Sequence, residues 1–181
     1  MCEILKEELF LTKQHFTSLY LPAGQRENYG TVTGETALAG KIVGLFFSAA
    51  WCPPCLHFLP LLRDVYDQLK ARDSPFEIVF FSLDKNKEEM MEYYKEKHGN
   101  WLAAKYDDPL KQGFLEKYKI SIIPKLIIIR PDGEVISNKG RKDIQDKGLI
   151  AFRSWQSAML AAVKKLDQQQ QLSNEAEEEM H

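Results

Sequence analysis

The chain has 181 residues, 44% hydrophobic and 28% charged. At roughly 150 residues per domain this is one domain with extra segments, and the balance excludes wholesale disorder, a collagen-like repeat or a disulfide-rich mini-protein. With 24 basic and 26 acidic residues, net −2, and no dense basic stretch, the sequence offers no footprint for nucleic acid or an anionic membrane. Residues 167–181 hold five acids and no Lys or Arg, which leaves the body 24 basic to 21 acidic, or +3. The start, Met-Cys-Glu-Ile-Leu-Lys-Glu-Glu, places acids where a secretory signal is basic, and no run approaches the roughly 20 apolar residues of a membrane span. Position 2 is Cys rather than a myristoylation glycine, and the carboxyl end matches no retention or lipidation signal. The expectation is a cytosolic monomer with no membrane contact.

In chain order, a first strand is expected near Glu8–Thr12. Lys13–Gly30 has Pro, Gly, Tyr and charge without period and reads as a loop insertion. Lys41–Ser48, an apolar run rich in β-branched and aromatic residues after Gly40, predicts a strand buried on both faces. From Pro53 the period changes: Leu56, Leu59, Leu62, Val65, Tyr66 and Leu69 mark an amphipathic helix ending before Ser74-Pro75. Phe76–Leu83 is a second buried strand. Lys87–His98 is a helix with Met90, Met91 and Tyr94 on its apolar face and Gly99 as its cap. Pro109–Lys119 is a short helix whose start the acids Asp107 and Asp108 favour.

Pro124 must stand at the start of the next strand, because it cannot donate within a ladder. Pro131-Asp132-Gly133 makes a hairpin turn into Glu134–Ser137, so the sheet mixes parallel and antiparallel strands. After Gly140 the chain is helical, and Phe152, Trp155, Met159, Val163 and Leu166 stripe the last helix. The domain spans residues 1–166; residues 167–181, a glutamine run and then acids, read as a disordered tail.

Of the three cysteines, Cys52 and Cys55 stand three apart in Trp51-Cys52-Pro53-Pro54-Cys55, between a strand and a helix. This places Cys52 at a helix start, where unpaired N–H groups and the dipole favour a thiolate, so it is expected to titrate below a free cysteine's roughly 8.5. Cys55 lies one turn on as the shielded resolving thiol, with Cys52 exposed as the attacker. Neither Pro53 nor Pro54 can donate an N–H to the Cys52 sulfur, so Cys55 is the first early helix residue able to do so. The expected result is a moderately stabilised thiolate, hence a reductant rather than a disulfide installer.

A structural zinc site needs four ligands, and Cys52, Cys55 and His57 leave the shell open; no metal and no cofactor are expected. His57 falls about 200° around the helix from Cys55 and reads as solvent-facing. Trp51 is a packing residue or a flat wall beside Cys52, and a strand end bordering a substrate groove favours the wall. Trp101 fits core or groove equally. Met90 and Met91 read as packing, and Cys2 as a bystander at a mobile terminus.

The motif Trp-Cys-Pro-Pro-Cys on a strand-to-helix turn, with Ile123-Pro124 far downstream, resembles the thioredoxin fold, and in particular tryparedoxins and nucleoredoxins. His98-Gly99-Asn100-Trp101-Leu102, Ile123-Pro124-Lys125-Leu126, Gly133-Glu134-Val135-Ile136, Asn138-Lys139-Gly140-Arg141-Lys142 and Gly148 through Trp155 resemble nucleoredoxin-like proteins across residues 31–166. The resemblance implies an α/β thioredoxin-like fold, a central mixed β-sheet flanked by helices. It implies a cis bond before Pro124, which would lie beside the disulfide, and an Ile123 backbone that pairs with an extended substrate; Trp51, Pro53 and Pro54 complete that groove. It further implies an oxidoreductase for neuronal and photoreceptor maintenance, acting by redox defence or trophic signalling. Family members vary at the active-site cysteines, and this chain keeps both.

One position departs. Thioredoxins carry a buried Asp six residues before the first Cys, thought to shuttle the resolving thiol's proton; here it is Phe46, as tryparedoxin-like proteins also lack the Asp. Proton transfer from Cys55 must then use water or another group.

Two functions follow as expectations. One is a cytosolic thiol–disulfide oxidoreductase acting on disulfide-bearing protein clients and recharged by an upstream dithiol, thioredoxin- or glutathione-type reductant. The other is a non-enzymatic interaction module whose cysteines sense redox state. A peroxidase is disfavoured, since no other Cys lies in a Pro-Thr-rich context.

Overall fold

The computed structural model describes residues 19–20, 31–32 and 34–178; the expected strand near Glu8–Thr12, most of the 13–30 segment and Cys2 lie outside them. In chain order the elements are β1 (Leu19–Tyr20), β2 (Thr31–Val32), α1 (Gly34–Leu38), β3 (Ile42–Ser48), α2 (Pro53–Ala71), β4 (Phe76–Ser82) and α3 (Lys87–Lys97). They continue as β5 (Leu102–Ala104), α4 (Pro109–Lys117), β6 (Lys125–Ile129), β7 (Val135–Ser137), α5 (Gly140–Lys147) and α6 (Ile150–Glu178). Among the described residues the strands join one mixed sheet in the order β2-β1-β5-β4-β3-β6-β7. β3, β4 and β5 run parallel, while β6 pairs antiparallel with β3 and β7 with β6.

Both faces of the central strands are covered, which is why β3 and β4 read as continuous apolar runs. Ile42 and Phe46 of β3, with Phe76, Ile78 and Phe80 of β4, pack under residues of α2, α3, α5 and α6. The alternate residues Val43, Leu45, Phe47, Val79 and Phe81 face Leu38 of α1 and Phe114 of α4. Parallel pairing of Ser48 with Ser82 brings the carboxyl ends of β3 and β4 to one edge, and that edge carries the site.

The helix boundaries have local causes. Asn86 caps α3 by accepting from the Glu89 N–H at 2.8 Å, and Asp108 caps α4 by accepting from the Leu110 N–H at 2.9 Å. Gly133, at φ 89°, closes the β6–β7 turn as its composition predicts.

Three expectations are corrected. Leu19–Tyr20, inside the segment read as a loop, is a strand paired with both β2 and β5; two residues are too few to show a period. Gly99 does not cap α3, which passes into His98 in extended conformation. A Cβ on Gly99 would instead meet the Trp101 ring at 2.5 Å, so the glycine is there for close approach. Last, α6 continues through the glutamine run to Glu178, where residues 167–181 were expected to be disordered; Gln and Glu are good helix formers and extend a helix nucleated on the core. Phe152 and Trp155 of its stripe are buried, but Val163 and Leu166 are exposed, because the helix has by then run past the body.

Candidate active site

β3 ends at Ser48, four residues pass, and α2 begins with Pro53 and Pro54 in its first turn. Both prolines suit positions where no N–H is needed and φ is preset. Cys52 is the N-cap, and its sulfur accepts from the Cys55 N–H at 3.3 Å, the donor that the two prolines leave as the first available. Cys52 and Cys55 are joined as a disulfide, so neither titrates in this state. Once the bond opens, that N–H and the positive end of a 19-residue helix face the Cys52 sulfur.

Cys52 is 4% exposed and Cys55 fully buried. Cys55 is shielded, but Cys52, expected to be exposed as the attacker, is buried as well. Across the molecule the Ile123 carbonyl oxygen, 3.7 Å away, covers one side of its Sγ, and the Ile123–Pro124 bond is cis. Pro124 is buried, Ile123 half-buried, and Pro53 and Pro54 are exposed. Trp51 is 54% exposed, and its indole N–H donates to the Leu83 carbonyl at 3.0 Å. The ring is thus exposed and tethered by that hydrogen bond. His57 is exposed.

Sequence reasoning missed the support beneath this turn. Asp84, 4% exposed, accepts from the Ala50 N–H at 2.7 Å through Oδ1 and from the Ser82 hydroxyl at 2.6 Å through Oδ2. Its carbonyl accepts from the Tyr106 hydroxyl at 2.9 Å, and Ser48 shares a hydrogen bond with the Tyr93 hydroxyl at 2.8 Å. The loop after β4 therefore holds the loop before Cys52. A lone Asp after a strand carries no sequence signal for this; only the β3–β4 register brings it there.

The thioredoxin-like family model matches residues 40–135, which is more than half of the chain. This chain belongs to the thioredoxin-like family, on its nucleoredoxin-like side. It is 40% identical over 124 residues to probable nucleoredoxin 3 of Oryza sativa subsp. japonica, covering 68% of this chain and 26% of that protein. To human nucleoredoxin it is 38% identical over 118 residues, covering 65% and 27%. The chain spans about a quarter of the length of these relatives. Among solved structures, tryparedoxin from Trypanosoma brucei superposes with TM-score 0.67 at 30% identity, over 82% of this chain and 97% of that one. Thioredoxin from Wuchereria bancrofti gives 0.66 at 37%, over 81% and 99%. As a thioredoxin-like oxidoreductase family member, the chain carries its cysteine pair at disulfide distance.

Against that family background the interior behind the disulfide is apolar and aromatic. Phe46, fully buried, packs against the rings of Phe58, Phe80, His98 and Trp101. Trp101, undecided between core and groove from sequence, is core, with no exposed surface. Its indole N–H donates to His98 Nδ1 at 3.0 Å, while His98 Nε2 is buried without a partner among the described residues.

Burial, with a smaller push from Arg63, holds His98 well below the usual imidazole range. Folding must therefore release the proton that an unfolded imidazole binds below its ordinary value of about 6.5. Stability is expected to fall as pH drops below about 6.5, approaching a slope of about 1.4 kcal/mol per pH unit until the lower folded value is reached. Urea unfolding at several pH values between 7.5 and 5.5 measures this. H98F should flatten the dependence, and an unchanged slope in H98F would assign the acid sensitivity to other groups.

Proposed function

We propose that the chain is a protein-disulfide reductase of the cytosol. The Cys52 thiolate attacks a client disulfide, forming a Cys52–client mixed disulfide and releasing one client thiolate, which takes up a proton. Cys55 then loses its proton and attacks Cys52 Sγ, releasing the second client thiol. Two electrons pass from the Cys52/Cys55 dithiol to the client, and an upstream dithiol of thioredoxin type, or two molecules of a glutathione-type thiol, restores the pair and is itself oxidised to a disulfide. The observation that carries this reading is the Cys52–Cys55 disulfide across the start of α2, with the Ile123 carbonyl 3.7 Å from Cys52 Sγ. An extended client would lie along Ile123, with Trp51 walling the other side. Phe46, an apolar ring, cannot accept the Cys55 proton, which passes to water or to another group.

The motifs around Ile123-Pro124 and Asn138–Lys142 most resemble nucleoredoxin-like protein 2. This supports a place in redox defence or trophic maintenance of sensory neurons such as photoreceptors. The whole-protein roles of longer nucleoredoxins are not carried over, since the chain matches only a quarter of them.

The test is insulin reduction with dithiothreitol as donor, followed by the turbidity of the released B chain. The wild type is expected to shorten the lag severalfold, and Cys52→Ser to match dithiothreitol alone. Equal lags for wild type and Cys52→Ser would overturn the reductase reading.

A further inference from the structure

Beside the Ile123–Pro124 turn lies a cleft of about 520 Å³ between the segment leading into β6 and the first turns of α5. Its charged lining is Lys119, Lys125, Lys139, Arg141 and Lys142 against a single carboxylate, Asp146. Lys142 already holds Asp146 at 2.6 Å, and the other four cations make no ion pair among the described residues. Arg141 Nε is sheltered from solvent and has no hydrogen-bond partner there. Lys139, at the N-cap of α5, supplies no side-chain cap; the acid of that first turn, Asp143, accepts from the Ser137 hydroxyl and the Trp155 indole N–H and does not line the cleft. A Cβ on Gly140 would meet the Leu126 carbonyl at 2.8 Å; the glycine lets the helix start press against β6 and keeps these charges over the strand. The concentration of positive charge is local, since the chain as a whole is net −2.

We propose that this cleft docks an acidic segment of the client polypeptide flanking the client's reactive cysteine. The inference rests on the reductase reading and adds the class of substrate. Pro124 lines the cleft, while the residue before it faces Cys52 Sγ, so a client held at the sulfur is led directly into the cleft. An extended chain advances about 3.3 Å per residue, which brings positions a few residues from the client cysteine over the cations. Ile122, 75% exposed, gives the cleft apolar surface, which suits a peptide's side chains. No aromatic ring lines it, and single-stranded nucleic acid is held by stacking on such rings; an acidic peptide is the occupant the lining favours. Charge complementarity of this kind acts on encounter and specificity and weakens with salt.

The test uses two fluorescent peptides, identical but for Glu or Gln flanks, with Ser in place of every Cys so that no exchange occurs. Anisotropy is expected to show the Glu peptide binding about tenfold tighter at about 20 mM salt, shrinking to less than about threefold at about 500 mM. Arg141→Glu with Lys139→Glu should abolish the preference. Lys139→Gln, a milder change at an exposed position, should reduce it with the unfolding midpoint unchanged. Equal affinity for the two peptides, or displacement of the Glu peptide by inorganic phosphate or a single-stranded oligonucleotide at lower concentration than by unlabelled Glu peptide, would overturn the proposal. Because these peptides cannot react, the outcome is independent of the insulin assay, and either reading can fail alone.

Discussion

Cys55→Ser, expressed in cytosol and quenched with an alkylating agent, is expected to accumulate covalent complexes with client proteins, whereas Cys52→Ser captures almost none. The asymmetry follows from the site. Cys52 Sγ is the sulfur faced by the Cys55 N–H and the Ile123 carbonyl, while Cys55 is fully buried and reaches only Cys52. With the resolving thiol gone, the second displacement has no nucleophile and the mixed disulfide persists. Turnover of insulin by either variant should fall by about a hundredfold or more, because each removes a whole chemical step. Gels run with and without reductant read the result directly. Equal capture by the two variants, or complexes that survive reductant only, would replace the oxidoreductase with a binding module whose cysteines report redox state. The two readings otherwise share the proposed groove at Ile123 and the proposed wall at Trp51, so the covalent trap separates them where a binding assay does not.

Trp101→Ala is expected to be the most damaging single change to the fold. Trp101 has no exposed surface and meets Phe46, Tyr66 and His98 edge to face at 6.2, 5.3 and 5.5 Å between centroids. Truncation leaves a cavity among these rings, opens the space against Gly99, and strips His98 Nδ1 of its donor. Large-to-small changes of this kind cost about 3–5 kcal/mol, against a total stability of about 5–15 kcal/mol for a domain. In a chain of this size the melting temperature should drop by about 10 °C or more. Thermal unfolding of the reduced protein measures it. Trp51→Ala is the contrasting variant. That ring is 54% exposed with one hydrogen bond, to the Leu83 carbonyl, so the change should cost about 1 kcal/mol or less and act on client exchange. A loss near 1 kcal/mol for Trp101→Ala would show that the aromatic cluster relaxes around the gap.

Read along the chain, much of this protein is local. The β3 and β4 runs, the period of α2, the Pro131–Gly133 turn and the consequence of two prolines between two cysteines each depend on residues a few positions apart, and the structure has them within a residue or two of the expected bounds. What was undecided or missed depends on distant partners. Trp101 reads equally as groove or core until β5 is set beside β4. Asp84 carries no meaning until parallel pairing places it under Ala50. The carbonyl that meets Cys52 Sγ comes from Ile123, seventy-one positions away. β1 is too short for any period, and its two residues are a strand only because β5 offers an open edge.

The charged cleft is the plainest case. No basic stretch exists in the sequence, and Lys119, Lys125, Lys139 and Arg141 are spread over 23 residues; they share one cleft because the β6–β7 hairpin folds α5 back against β6. Periodicity and turn chemistry tell each residue which face of its own element it occupies. Which other element meets that face is a matter of sheet order and register, and those are settled only when burial of both faces of β3 and β4 selects the one arrangement in which all these helices can pack.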